Sequence, residues 1–190
     1  MEKKTALRLM LIYSLLFMSL FTIFFVLRGN YEFLYYTALM LFVILFFVIF
    51  YKKFNFPVWS MFGLTVLLTL HILGGHVDVG NVRLYDFWII PGVLKYDNPV
   101  HFLGIFTVTF MINHLIRPHL KKTTIKSTWF LYLITLSLGV AGFYEILELV
   151  PSVWLGAKNQ VGDYLNNALD LVFGLLGSIT AALIIVRKKR

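Results

Sequence analysis

The sequence contains no cysteine and few charged residues. Among its 190 residues, Asp, Glu, Lys and Arg together account for only 14%. The missing cysteine excludes disulfides, thiolate metal ligands and thiol nucleophiles. A soluble domain carries roughly 25% charged residues, most of them on its surface. The low charge therefore excludes an ordinary soluble domain and indicates a chain that is solvated mainly by lipid.

Common enzyme signatures are absent as well. The chain has no glycine-rich phosphate loop, no HExxH pair and no GxSxG elbow. The net charge of +8 does not indicate a nucleic-acid partner, because the basic residues flank apolar runs instead of alternating with aromatic residues. We expect membrane lipids as partners and no nucleic acid.

Hydrophobic residues make up 59% of the chain and form runs close to the roughly 20 residues that a helix needs to cross a bilayer. We predict an all-α polytopic membrane protein with six transmembrane helices, in a single integral membrane domain over residues 1–190. Between the third and fourth helices, a charged stretch with a short apolar centre predicts an interfacial or re-entrant segment. The predicted spans are residues 6–27, 33–51, 57–75, 99–117, 127–149 and 165–186.

Basic residues predict the orientation of these helices. Most of the 17 Lys and Arg residues fall at the two termini and in the second and fourth connections. Short loops rich in Lys and Arg stay in the cytoplasm, so we expect a multi-pass protein of the inner, cytoplasmic membrane with both termini cytoplasmic. Nearly all acidic residues then lie at or beyond the extracytoplasmic ends of the helices. The basic exceptions on that side are Arg28, Arg83, Lys95 and Lys158.

Ionisable residues also occur inside the predicted spans, near their extracytoplasmic ends. An ionisable group within the hydrocarbon costs on the order of 2.5 to 3.5 kcal/mol and is a candidate functional residue for that reason. Residues three, four or seven apart share one face of a helix. Three sets have this spacing: Asp97 with His101, Glu145 with Glu148, and Asp163 with Asn167 and Asp170.

Two glycines continue the last of these faces. Gly174 and Gly177 follow Asp170 at helical spacing, and glycine lets a neighbouring helix approach closely. We therefore expect the polar face to point into the protein. Other polar residues have simpler interpretations. Glu148 is interpreted as a solvated residue near the water boundary, and His71 as a core histidine that donates to a backbone carbonyl. Asn166 is interpreted as a residue that hydrogen-bonds between helices.

The chemistry of the three sets is that of a divalent-cation site. One histidine nitrogen with several carboxylate and amide oxygens suits Zn²⁺, Mn²⁺ or Mg²⁺. Glu145 is then the candidate catalytic residue, as general acid or base. Two alternatives stay open: a proton- or cation-coupled carrier whose carboxylates titrate, and a structural module held by a buried polar network. The candidate metal ligands are His101, Asp97, Asp163, Asn167 and Asp170.

These residues also carry a family resemblance. The runs Tyr96–Phe102 and Glu145–Glu148, with Gly162 and Asp163 through Asp170, resemble the YjdF-like group of bacterial and archaeal inner-membrane proteins. A more distant likeness is to VanZ-like proteins, which are associated with resistance to glycopeptide antibiotics. The resemblance covers roughly residues 60–186. The resemblance itself implies no particular reaction and leaves open whether the protein is an enzyme. Our leading hypothesis is that the site acts on an envelope lipid or a lipid-linked cell-wall precursor.

Overall fold

A computed structural model describes residues 2–121, 123–154 and 164–187. Within these ranges, six helices are long and apolar enough to cross a membrane, which confirms the predicted all-α multi-pass membrane protein. A single-turn helix, α3, follows the second of them. The helices are α1 (Lys3–Leu27), α2 (Tyr31–Ile49), α3 (Tyr51–Phe54), α4 (Val58–His76), α5 (Asp97–Ile116), α6 (Lys126–Trp154) and α7 (Tyr164–Arg187).

Helix α6 continues past its predicted end at residue 149 and reaches Trp154, with Pro151 inside it. Proline has no N–H to donate to the carbonyl four residues earlier, which is that of Leu147. The hydroxyl of Tyr35, on α2, donates to this carbonyl instead, at 3.1 Å. The backbone acceptor that proline would leave open is thus satisfied from a neighbouring helix, and the last turns of α6 stay helical.

The connection between α4 and α5, predicted as an interfacial or re-entrant segment, consists of two short antiparallel hairpins. Strand β1 (Asp78–Val79) pairs with β2 (Val82–Arg83), and β3 (Trp88–Ile90) pairs with β4 (Leu94–Lys95). Gly92 turns the second hairpin with φ of 73°, a conformation that side chains disfavour. The hairpins lie where α4 ends and α5 begins, and we refer to this side of the molecule as the hairpin end.

Helix α5 packs most extensively against α7 and also contacts α4 and α6. Close approach of α5 and α7 depends on Gly177, whose missing side chain leaves room for the main-chain carbonyl of Phe102. Gly174 faces Ile105 one turn away. The prediction that these glycines permit close helix packing is confirmed.

At the end opposite the hairpins, α5, α6 and α7 close on an apolar cluster. Its buried members include Trp129 and Leu133 from α6, with Ala182 and Ile185 from α7. Burial of such side chains is worth roughly 1.5 to 3 kcal/mol each in water, but in a membrane close packing contributes more than exclusion of water. The acidic residues of the same three helices, by contrast, all lie toward the hairpin end.

Candidate functional site

His101 is the centre of a group of ionisable side chains at the hairpin end. Its Nε2 lies 3.2 Å from Oδ1 of Asp97, one turn earlier on α5, and 3.9 Å from Oδ1 of Asp170 on α7. Its Nδ1 lies 3.7 Å from Oε1 of Glu145 on α6. Glu148, one turn after Glu145, completes the acid–histidine cluster, which we define as Asp97, His101, Glu145, Glu148 and Asp170.

The acid–histidine cluster is buried. Asp170 is 0% exposed, Glu148 7% and His101 8%. Buried carboxylates are costly unless hydrogen bonds or positive charge compensate them, yet neither carboxylate oxygen of Glu145 accepts a hydrogen bond from the described residues. The cluster therefore contains acceptor atoms in excess of the donors that the described side chains provide.

Asp170, by contrast, is held by two asparagines. The side-chain amide of Asn98 donates to Oδ1 at 3.0 Å, and that of Asn166 donates to Oδ2 at 2.8 Å. Each asparagine in turn accepts a hydrogen bond from Lys95: Asn98 from the backbone N–H and Asn166 from the ammonium group, both at 2.8 Å. These bonds fix the orientation of the Asp170 carboxylate.

Two sets of side chains in the acid–histidine cluster have a geometry close to that of a metal site. One consists of Asp97, His101 and Asp170, and the other of His101, Glu145 and Glu148. In each set the potential ligand atoms lie within 4.8 Å of one another. Ligands about 2.1 Å from one ion are at most about 4.2 Å apart, so small side-chain rotations are enough to bring either set onto a cation.

The structure brings together four of the predicted site residues: Asp97, His101, Glu145 and Asp170. Asn167 is half-buried and its Oδ1 has no hydrogen-bond partner among the described residues. Its neighbour Asn166, interpreted from the sequence as a residue that hydrogen-bonds between helices, is the one that donates to Asp170. The predicted ligand Asp163 lies outside the described residues.

Two residues of the site have positions that the sequence analysis did not predict. Glu148 is buried and not solvated, and α6 continues beyond it to Trp154. Its spacing of three residues from Glu145 was the available signal. In the sequence, Lys95 stands out only as a basic residue on the predicted extracytoplasmic side. Nothing in its spacing indicates that its ammonium group donates a hydrogen bond to Asn166 on α7.

A second polar group connects the hairpins to α2 and α4. The guanidinium of Arg83 donates to Glu32 and to Asp86, each at 2.8 Å. Burial alone would lower the pKa of Arg83, but these two carboxylates raise it overall. The ion pair between Arg83 and the buried Glu32 connects β2 to the start of α2.

Tyr85 attaches the same segment to α4. Its hydroxyl lies 2.7 Å from Nδ1 of His71, so His71 is a core histidine as predicted, but its partner is this hydroxyl and not a backbone carbonyl. Burial raises the pKa of Tyr85 well above its ordinary value. The hydroxyl therefore keeps its proton and can donate it to the ring nitrogen.

Comparison with known proteins identifies one family. A family model described as "Predicted membrane protein (DUF2238)" matches residues 8–190, which include α1 from Arg8 onward, the other described helices and the whole acid–histidine cluster. No curated protein matches the chain. No solved structure matches it either. The VanZ-like resemblance finds no support in these comparisons.

Proposed function

The chain belongs to the DUF2238 family of predicted membrane proteins, and from this premise we propose that it binds a divalent cation at the acid–histidine cluster and acts there on an envelope lipid or a lipid-linked cell-wall component. The observation that carries the proposal is the convergence of His101 with four carboxylates from α5, α6 and α7. We also propose that the chain is YjdF-like, which agrees with its membership of this family.

Charge is the first argument for a cation. If ionised, the four carboxylates of the acid–histidine cluster bring more negative charge than His101 can balance. Lys95 contacts the cluster only through asparagines, and Arg83 is bonded to Glu32 and Asp86. Unbalanced charge in a low-dielectric interior costs several kcal/mol per ion. A bound divalent cation would lower that cost.

The donor types are the second argument. The set of Asp97, His101 and Asp170 offers one imidazole nitrogen and carboxylate oxygens, and the imidazole favours Zn²⁺ or Mn²⁺ over Mg²⁺, which prefers oxygen ligands alone. Metal-binding carboxylates are normally oriented by further hydrogen bonds. Asn98 and Asn166 do this for Asp170.

Glu145 is the proposed general acid or base. It approaches the Nδ1 edge of the His101 ring, whereas Asp97 and Asp170 approach the Nε2 edge. Bound at Asp97, His101 and Asp170, a cation would polarise a substrate oxygen or a water. Glu145, whose oxygens accept no hydrogen bond from described residues, would exchange the proton.

The two alternatives agree less well with the geometry. A carrier needs a polar path to the other side of the membrane. Between the acid–histidine cluster and the apolar cluster around Trp129, the described parts of α5, α6 and α7 offer neutral groups such as the Thr109–Ser137 hydroxyl pair, and no carboxylate that could titrate. A purely structural network is normally satisfied in full. The side-chain oxygens of Glu145 and Oδ1 of Asn167 have no partner in the described part of the chain, which does not fit that expectation.

Elemental analysis tests the cation directly. The full chain, purified in mild detergent without chelator, is expected to contain about one Zn²⁺ or Mn²⁺ per chain, and lipid mass spectrometry of the same sample should show a co-purified phospholipid or lipid-linked sugar. Protein that contains no divalent metal, and whose thermal unfolding does not shift when Zn²⁺ or Mn²⁺ is added, would contradict the proposal.

We also propose that the hairpin end is extracytoplasmic and both termini cytoplasmic, in the inner membrane. The chain has no cysteine, so single cysteines report orientation without background. Asn81→Cys, in the exposed turn of the first hairpin, is expected to react with a membrane-impermeant maleimide in intact cells. Thr123→Cys, exposed between α5 and α6, should react only after lysis. The reverse pattern would place the acid–histidine cluster on the cytoplasmic side.

A further inference from the structure

The basic residues of the hairpin end differ in whether they have acidic partners. Arg28 lies 3.7 Å from Asp78, and Arg83 is bonded to two carboxylates. Lys95 has no carboxylate partner within the described ranges. Among the described Lys and Arg side chains at this end it is the one whose charge is not balanced by an acid, and Lys158 lies outside the described residues.

Lys95 is nevertheless held in place. Its ammonium group lies 5.2 Å from the centre of the Trp88 ring, in a cation–π contact across the second hairpin, and donates to Asn166 on α7 at 2.8 Å. An ammonium group has three N–H donors, and toward the described residues that of Lys95 makes one hydrogen bond. The half-buried side chain thus keeps donor capacity for an anion beside the site.

Lys95 is also connected to the acid–histidine cluster by a closed ring of hydrogen bonds. The ring runs from its backbone N–H through Asn98 to one oxygen of Asp170, and from the other oxygen through Asn166 back to its ammonium group. This ring holds the ammonium one asparagine away from Asp170. A ligand group that reaches a cation on Asp170 would lie next to Lys95.

We propose that Lys95 binds the phosphate group of the ligand, and that the ligand class of the site is a phosphate ester or free phosphate. A divalent cation together with an ammonium group is a combination that recognises phosphoryl oxygens. Phosphate is also the anion of lipid headgroups, which lie at the ends of membrane-spanning helices. The role of the cation rests on the function proposed above, but the contact of Lys95 with phosphate does not require it.

Binding to the full-length protein in detergent tests this proposal. Isothermal titration compares three ligands: dioctanoyl phosphatidic acid, inorganic phosphate, and dioctanoylglycerol as the lipid without phosphate. Each is titrated once in Mn²⁺ and once in EDTA. Lys95→Gln removes the positive charge but keeps an amide N–H that can donate to Asn166. Lys95→Met removes both the charge and the donor, and Lys95→Arg keeps a positive charge. Arg28→Gln is the matched control. It removes a positive side chain from the hairpin end, but one that already has an acidic partner in Asp78.

Lys95→Gln and Lys95→Met are expected to weaken binding of phosphatidic acid by roughly tenfold, as for loss of a charge-assisted hydrogen bond. Lys95→Arg should restore much of it, Arg28→Gln should stay within about twofold of the unmodified protein, and dioctanoylglycerol should not bind. Competition by inorganic phosphate would identify free phosphate as a ligand, and its absence would identify the lipid ester.

Two results would overturn the proposal: phosphatidic acid binding that is unchanged in both Lys95→Gln and Lys95→Met, or dioctanoylglycerol binding as tightly as phosphatidic acid. Failure of the cation proposal gives a different result. In that case the protein holds no metal, but binding of phosphatidic acid in EDTA still depends on Lys95.

Discussion

His101→Ala is expected to abolish cation binding. The imidazole contacts acids from α5, α6 and α7, and both candidate ligand sets include it. Because changes that only reorient a ligand already cost on the order of 10- to 100-fold in metal affinity, removal of this central ligand should lower affinity by more than that. Elemental analysis of the purified variant should find on the order of a tenth of a metal ion per chain or less.

His114→Ala is the matched control for this change. His114 lies on the same helix near its opposite end, where its Nε2 is 3.0 Å from the carbonyl of Phe54. This variant should retain its metal. A His101→Ala protein that retains a full equivalent of Zn²⁺ or Mn²⁺ would remove the acid–histidine cluster from consideration as the site.

Thermal unfolding separates cation binding from a structural role. A ligand that binds only the folded state raises the unfolding temperature. Added metal should therefore stabilise the unmodified protein and leave His101→Ala unchanged. If the cluster were only a structural network, His101→Ala would lower the unfolding temperature by the same amount with and without metal, and the unmodified protein would not respond to metal.

The helices and the face of each that carries polar residues could be predicted from the sequence. Asp97 and His101 are four residues apart, and helical geometry alone places them on one face of α5. The glycine spacing after Asp170 indicated close packing as well, and Gly177 does face the backbone of α5. These inferences are local, because each depends on the period of a single helix.

The end of α6 shows where local reasoning fails. Proline usually ends or kinks a helix, and Pro151 lies just beyond the predicted end of this span at residue 149, which leaves Glu148 near the water boundary in the prediction. The helix continues because Tyr35, more than a hundred residues earlier in the chain, bonds to the carbonyl that Pro151 cannot serve. No pattern within α6 contains that information.

The hydrogen-bond ring around Asp170 was unpredictable for the same reason. Its members come from β4, α5 and α7, and the bond between Lys95 and Asn166 joins residues 71 positions apart. Spacing along one helix predicts which side chains share a face, but not which face of another helix meets them. Asn166 lies one turn before Asp170 on α7, so helical spacing places it within reach, whereas the partner Asn98 follows only from the packing of α5 on α7.

Gly177→Ala is expected to destabilise the protein and to disrupt the site. A Cβ at this position would overlap the main-chain carbonyl of Phe102, and backbone cannot rotate away as a side chain can. The helices α5 and α7 would have to separate, which would widen the gap of 3.9 Å between His101 and Asp170. Overpacking of this kind costs about 1 to 3 kcal/mol, so the unfolding temperature and the metal affinity should fall together.

Gly139→Ala is the matched control for this last prediction. Gly139 lies in α6, where a Cβ would meet no atom within 4 Å, and alanine at an open helical position is favoured over glycine by up to about 1 kcal/mol. Its unfolding temperature should stay the same or rise, and its metal content should not change. If Gly177→Ala behaved like Gly139→Ala in both measurements, then the close contact of α5 and α7 would not be what holds His101 beside Asp170.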